Sequence, residues 1–92
     1  MVIRFLRQAL RNLEEIHAYY ATRTNPAHAY EVLADIRAQI ERLARYPAYG
    51  RPGKKVNTRE LVLRRYPYIA VYRVQGESVI ILRVQHTRRH VP

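Results

Sequence analysis

Hydrophobic positions change period along the chain, and each change marks an element. Val2, Ile3 and Phe5 are β-formers inside Met1 to Leu6, which predicts a short opening strand. Leu6, Leu10, Leu13, Ile16 and Tyr20 then recur at steps of three and four, the period of a helix with one buried stripe, and predict a helix from about Arg7 to Arg23. Thr24-Asn25-Pro26 breaks it and starts another, with Asn25 as N-cap and Pro26 at the first helical position. In this second helix Ala29, Leu33, Ile36, Ile40 and Leu43 form the apolar seam. Two such helices on a short connection are predicted to lie antiparallel as a hairpin. Pro47 and the run Tyr49-Gly50-Arg51-Pro52-Gly53 end it in a loop, where Gly50 and Gly53 serve turn geometry.

Past the loop the pattern becomes that of strands. Thr58 to Arg64, Tyr68 to Val74 and Ser78 to His86 are rich in Val, Ile, Leu and Tyr. Gln75-Gly76-Glu77 predicts a tight hairpin between the last two, and Pro67 interrupts the connection before them, giving an antiparallel meander. Alternation in the last strand puts Ile80, Leu82 and Val84 against the helices and Val79, Ile81, Arg83 and Gln85 on the opposite face. The expected architecture is α+β in the order β-α-α-β-β-β, a helical hairpin packed on a twisted antiparallel sheet.

Composition narrows the chemistry. Ninety-two residues make one domain, residues 1–92, with a single modest core. The absence of cysteine excludes disulfides and thiolate metal sites and fits a reducing compartment such as the cytoplasm. His17, His28, His86 and His90 lie far apart without ligand spacing, so neither a metal nor another cofactor is expected. No apolar run approaches the roughly 20 residues of a membrane span, and the N-terminus lacks a signal-peptide pattern, so a soluble protein is expected. Charge changes the picture most. Of the formal +10, residues 1–50 carry +2 and residues 51–92 carry +8. Such a field attracts nucleic acid or an acidic protein surface.

The motifs resemble a known family. Tyr49-Gly50-Arg51-Pro52-Gly53, Thr58-Arg59-Glu60-Leu61-Val62, Pro67-Tyr68-Ile69, Val71-Tyr72-Arg73-Val74 and Ile81-Leu82-Arg83-Val84 with His86 and Arg89 look like the C-terminal signature of ParE/RelE toxins. Leu13-Glu14-Glu15-Ile16, Asn25-Pro26, Ile40, Leu43-Ala44 and Pro47 resemble its helical hairpin. The resemblance spans nearly the whole chain in the right order. It implies the same fold, and an acidic antitoxin as partner in a type II toxin–antitoxin system, with a homodimer or a heterotetramer as the form it would take. It also implies one of two targets: RelE-like members cut mRNA on the ribosome, whereas ParE-like members poison DNA gyrase.

Attack of a 2′-hydroxyl on RNA needs a base, a cationic clamp and an acid. RelE-like cutters resemble one another in placing basic residues where this chain has Glu60, Val62 and Ile69, none of them basic. Others end in a His-Tyr pair, but here Thr87 follows His86. Arg83, His86 and Arg89 are the candidates for a remnant nuclease site; the plain alternative for His86 is a strand-end histidine bonding a backbone group. Lys54, Lys55, Arg73, Arg83, Arg88 and Arg89 are the candidate contacts to target or antitoxin. Arg59 shares a face with Leu61 and Leu63, so a structural ion pair with Glu14 or Glu15 is expected. The eight tyrosines are read as core volume with a wet edge rather than as base-stacking platforms. The preferred expectation is a ParE-like toxin without catalysis that binds gyrase; a ribosome-dependent mRNA endonuclease and a plain nucleic-acid-binding module are the alternatives.

Overall fold

The computed structural model describes residues 1–89. Strand β1 (Val2–Phe5) leads into helix α1 (Arg7–Arg23) and helix α2 (Pro26–Glu41), which tightens into a 3-10 turn at Arg42–Ala44. Strands β2 (Arg51–Pro52), β3 (Arg59–Val62), β4 (Tyr68–Gln75) and β5 (Ser78–His86) follow, then a 3-10 turn at Thr87–Arg89. The sheet order is β1-β5-β4-β3-β2. The expected meander β3-β4-β5 is antiparallel, and β1 joins it at one edge parallel to β5, so the sheet as a whole is mixed. The two-residue β2 adds the other edge, inside the segment read from sequence as loop.

Local chemistry explains the helix boundaries. Asn25 accepts the His28 N–H at 2.9 Å while Pro26 occupies the first helical position, where its missing N–H leaves no bond unmade. At the end of α1 the Thr24 N–H and hydroxyl both donate to the Tyr20 carbonyl, at 2.8 and 2.7 Å. The buried stripes keep Leu13, Ile16, Ala29, Ile36, Ile40 and Leu43 of the expected seams and depart from them at one position in each helix. Ala9, Leu13 and Ile16 face inward from α1 while Leu10 is 43% exposed, and α2 buries Val32 more deeply than Leu33. The seam follows the 3.6-residue period, with Ala9 wholly buried one turn before Leu13.

At the β4–β5 turn Gln75 pairs with Ser78, and Gly76 takes a φ of +58° at the first central position, as a type II′ hairpin requires. Farther along, Val71 pairs with Arg83 and Tyr72 with Ile81, so Leu82 is an extra residue in a β-bulge. The expected faces of β5 are exchanged from Val79 to Leu82, and the bulge returns Arg83 and Val84 to theirs. Val79, Ile81 and Val84 enter the core with Tyr72, Ile36 and Ile40, whereas Ile80 and Leu82 do not. β1 ends opposite Ile81, and beyond it the Val84 N–H is taken by Asn12 Oδ1 of α1 at 3.0 Å.

Candidate functional site

The helices cover one face of the sheet, and the other face carries the charge. In β4, Tyr68, Ala70 and Tyr72 belong to the helix-side core, so Ile69, Val71 and Arg73 point the opposite way. Glu60 and Val62 share that face by alternation with Leu61 and Leu63. The bulge sets Leu82 and Arg83 side by side there, beside Val71. Together with the loop before β3 these residues form a broad open basin with Lys54, Lys55, Arg73 and Arg83 around Val71 and Leu82. The structure thus brings four of the six candidate contacts together.

The loop that carries Lys54 and Lys55 is fixed from below. Tyr72 is fully buried, accepts the Gly50 N–H at 2.8 Å and donates its hydroxyl proton to the Pro47 carbonyl at 2.7 Å. Gly50 must be glycine: an added Cβ would lie 2.7 Å from both Cε1 and Oη of Tyr72. Arg59 Nη1 donates to the Gly50 carbonyl at 2.7 Å and to the Ala48 carbonyl at 3.2 Å. The expected pairing of Arg59 with Glu14 or Glu15 is therefore replaced by loop carbonyls. Both glutamates are exposed on α1, and Glu15 accepts from Asn12 instead. Gly53 N–H donates to the Thr58 carbonyl at 2.8 Å, closing a turn in which Asn57 adopts a φ of +64°. At its tip Val56 is 88% exposed.

The ion pair of this region is Arg51–Glu60, with Arg51 Nε 3.0 Å from Glu60 Oε1. The two residues face each other across β2 and β3. Glu60 is nearly buried whereas the Arg51 side chain is 56% exposed, so the carboxylate depends on the pair more than the guanidinium does. Sequence reasoning missed it because β2 is two residues long and contains a proline, too little for a strand signal. Arg83 brings a further feature: its Nε is buried without a hydrogen-bond partner among the described residues.

His86 does not join the basin. It lies on the α1 side, where its ring meets Tyr68 edge-on at 5.5 Å and its Nδ1 accepts the Arg88 N–H at 3.1 Å. Arg88 lies with it in a separate hollow bordered by Tyr19 and Tyr20. The candidate nuclease constellation is thus divided, Arg83 on one face of the sheet and His86 on the other. The side chain of Arg89 lies outside the described residues. Among the described residues no group of three His, Asp or Glu side chains could hold a metal, and no helix is long and apolar enough to cross a membrane.

The tyrosines divide as well. Tyr68 and Tyr72 are core residues and Tyr20 and Tyr66 pack against the core, whereas Tyr19, Tyr30, Tyr46 and Tyr49 are exposed. Burial pushes the Tyr68 hydroxyl well above the ordinary tyrosine range, and its hydrogen bond with Tyr20 adds to the rise. Burial also raises Tyr72, while the Gly50 amide and the Arg59 charge pull it partly back. Because both groups are raised in the folded state, the stability they contribute is complete below the unfolded tyrosine pKa of about 10 and is lost as pH climbs above it. Melting temperatures should show no loss from these groups up to pH 9 and fall at pH 11. An undiminished melting temperature at pH 11 would contradict the burial of these hydroxyls.

A family model described as the ParE toxin of the type II toxin–antitoxin system parDE matches residues 3–91. The chain belongs to the ParE toxin family. A candidate toxin of Sinorhizobium fredii, Y4kP, is 46% identical over 90 residues, covering 98% of this chain and 92% of that protein. The solved chromosomal ParDE toxin–antitoxin system of P. aeruginosa superposes with a TM-score of 0.86 at 31% identity, covering 94% of this chain and 95% of that one. A chain of the intact E. coli RelBE toxin–antitoxin complex matches with a TM-score of 0.69 at 15% identity over 92% of this chain and 94% of that one, a likeness of fold alone. In this ParE toxin the helical hairpin forms one side of the sheet and the cationic basin occupies the other.

Proposed function

We propose that this ParE-family toxin arrests growth by binding DNA gyrase, through the cationic basin and without catalysis of its own, and that a cognate antitoxin neutralises it. The observation that carries the reading is a basin rich in positive charge with no imidazole beside it among the described residues. Lys54, Lys55, Arg73 and Arg83 can hold an anionic surface, but His86 lies across the sheet from them. Of the positions where RelE-like cutters place basic residues, Glu60 is buried in an ion pair, and Val62 and Ile69 are apolar. A general base and acid are what RNA cleavage would add to such a clamp.

The P. aeruginosa relative was solved as a ParDE system and the E. coli one as a toxin–antitoxin complex. A partner of that kind would meet this chain with carboxylates at the basic half and apolar side chains at exposed positions such as Leu6 and Leu10. Purified gyrase should lose supercoiling activity as the toxin is added and regain it when the antitoxin follows. Undiminished supercoiling at micromolar toxin rules the reading out. Codon-linked mRNA cuts in a translating extract that vanish in His86→Ala would replace it with the endonuclease alternative.

A further inference from the structure

We infer that the basin is a docking site for the phosphate backbone of duplex DNA. The inference deepens the gyrase reading, for it names what the basin would touch in a DNA-bound gyrase, and it rests on that reading only for where the duplex is met.

Three observations point to phosphate. The rim combines Lys54, Lys55 and Arg73, all exposed, with the half-buried Arg83. The carboxylate bordering the basin, Glu60, faces Arg51 at 3.0 Å, so that the pair together adds no net charge. The loop supplies neutral donors as well, with Asn57 and Thr58 beside the lysines. Cations mixed with short polar side chains on a turn are the groups that phosphate oxygens recruit, and they fix position without reading sequence.

Two further observations favour duplex over the alternatives. Among the described residues no aromatic ring lines the basin; the tyrosines lie in the core, on the helix side or on the loops around it. A single strand is held chiefly by stacking on such rings, and the basin offers none. An acidic peptide would need apolar side-chain pockets to fix its register, whereas Val71 is buried, Leu82 is only partly exposed, and the exposed Val56 and Val74 stand on the loop before β3 and near the end of β4. A surface of regularly spaced charge meets the requirement better than a peptide with a few anchors.

The test is binding of the purified full chain to a 30-base-pair duplex of mixed sequence, titrated across salt. Four phosphate contacts predict a slope of log K against log salt of about −3 to −4, or about a hundredfold loss between 50 and 200 mM. Lys54→Ala, Lys55→Ala and Arg73→Ala should each make the slope shallower by about 1, alike on every duplex sequence. Their combination should weaken binding at 150 mM salt by about a hundredfold. Arg11→Ala, an exposed cation on α1, should leave the slope unchanged. A slope near zero, a slope that all three variants leave intact, tenfold tighter binding to a single strand, or binding to poly-glutamate but not to duplex would each overturn the inference. Duplex binding without gyrase inhibition would retain the basin's ligand and refute the gyrase reading. Gyrase inhibition that survives the triple variant while duplex binding is lost would take the basin out of the gyrase reading and leave its ligand standing.

Discussion

Tyr72→Ala is expected to abolish folding at 37 °C, and Tyr72→Phe to leave a folded protein that melts roughly 10 °C lower. The side chain is fully buried among Ile36, Ile81 and their neighbours, and removing an aromatic ring from such a site costs about 3–5 kcal/mol. Losing the hydroxyl also strands the Gly50 N–H and the Pro47 carbonyl that it pairs at 2.8 and 2.7 Å, adding about 1–3 kcal/mol for a group left unsatisfied. Against a total of about 5–15 kcal/mol for a domain, the two losses together are decisive. The phenylalanine variant keeps the ring and loses only the hydroxyl, and each kcal/mol moves the melting point of so small a domain by about 4–8 °C. Gly50→Ala probes the same contact from the other side, since its new methyl would press on the Tyr72 ring. Circular dichroism melts of the three variants decide the matter. A Tyr72→Phe protein melting within a degree of wild type would show that the hydroxyl does not anchor the loop.

The second large effect lies in the helices. Ile36→Ala should cost about 2–5 kcal/mol, because Ile36 is wholly buried at the centre of α2 and the surrounding sheet cannot collapse into the space. Leu10→Ala, by contrast, should fall within about 1 kcal/mol, since Leu10 is 43% exposed and makes no part of the core cluster. Urea unfolding midpoints measure both, with equal slopes as the check that only stability has changed. Equal losses in the two variants would mean that α1 is turned about its axis relative to the packing described.

The contrast between those two leucine-class positions shows what could be read before any coordinates. Steps of three and four located both helices, and Asn25-Pro26 fixed the start of α2, because capping is a local event between neighbouring residues. The face each helix buries depends on its partner. Steps of three and four point to Leu10 and Leu33, but the packing takes Ala9 in place of Leu10 and buries Val32 more deeply than Leu33. Membership of the cationic site was legible for Lys54, Lys55, Arg73 and Arg83, since charge excess in residues 51–92 needs only counting. Its borders were not. Arg59 bonds the carbonyls of Ala48 and Gly50, and Glu60 faces Arg51 across a two-residue strand, and both relations arise only once the loop is folded back. Strand alternation, by contrast, already parts His86 from Arg83, and the sheet stands between them.

The extra residue in β5 has a bearing on how this surface can diverge. Elsewhere in a strand, inserting or deleting one residue exchanges inside for outside along everything that follows. At Leu82 two consecutive side chains already share the solvent side opposite a single partner, so a sequence one residue shorter there would keep Val79, Ile81 and Val84 facing the helices. The sheet can therefore trim its outer surface at this spot while the same side chains stay inside.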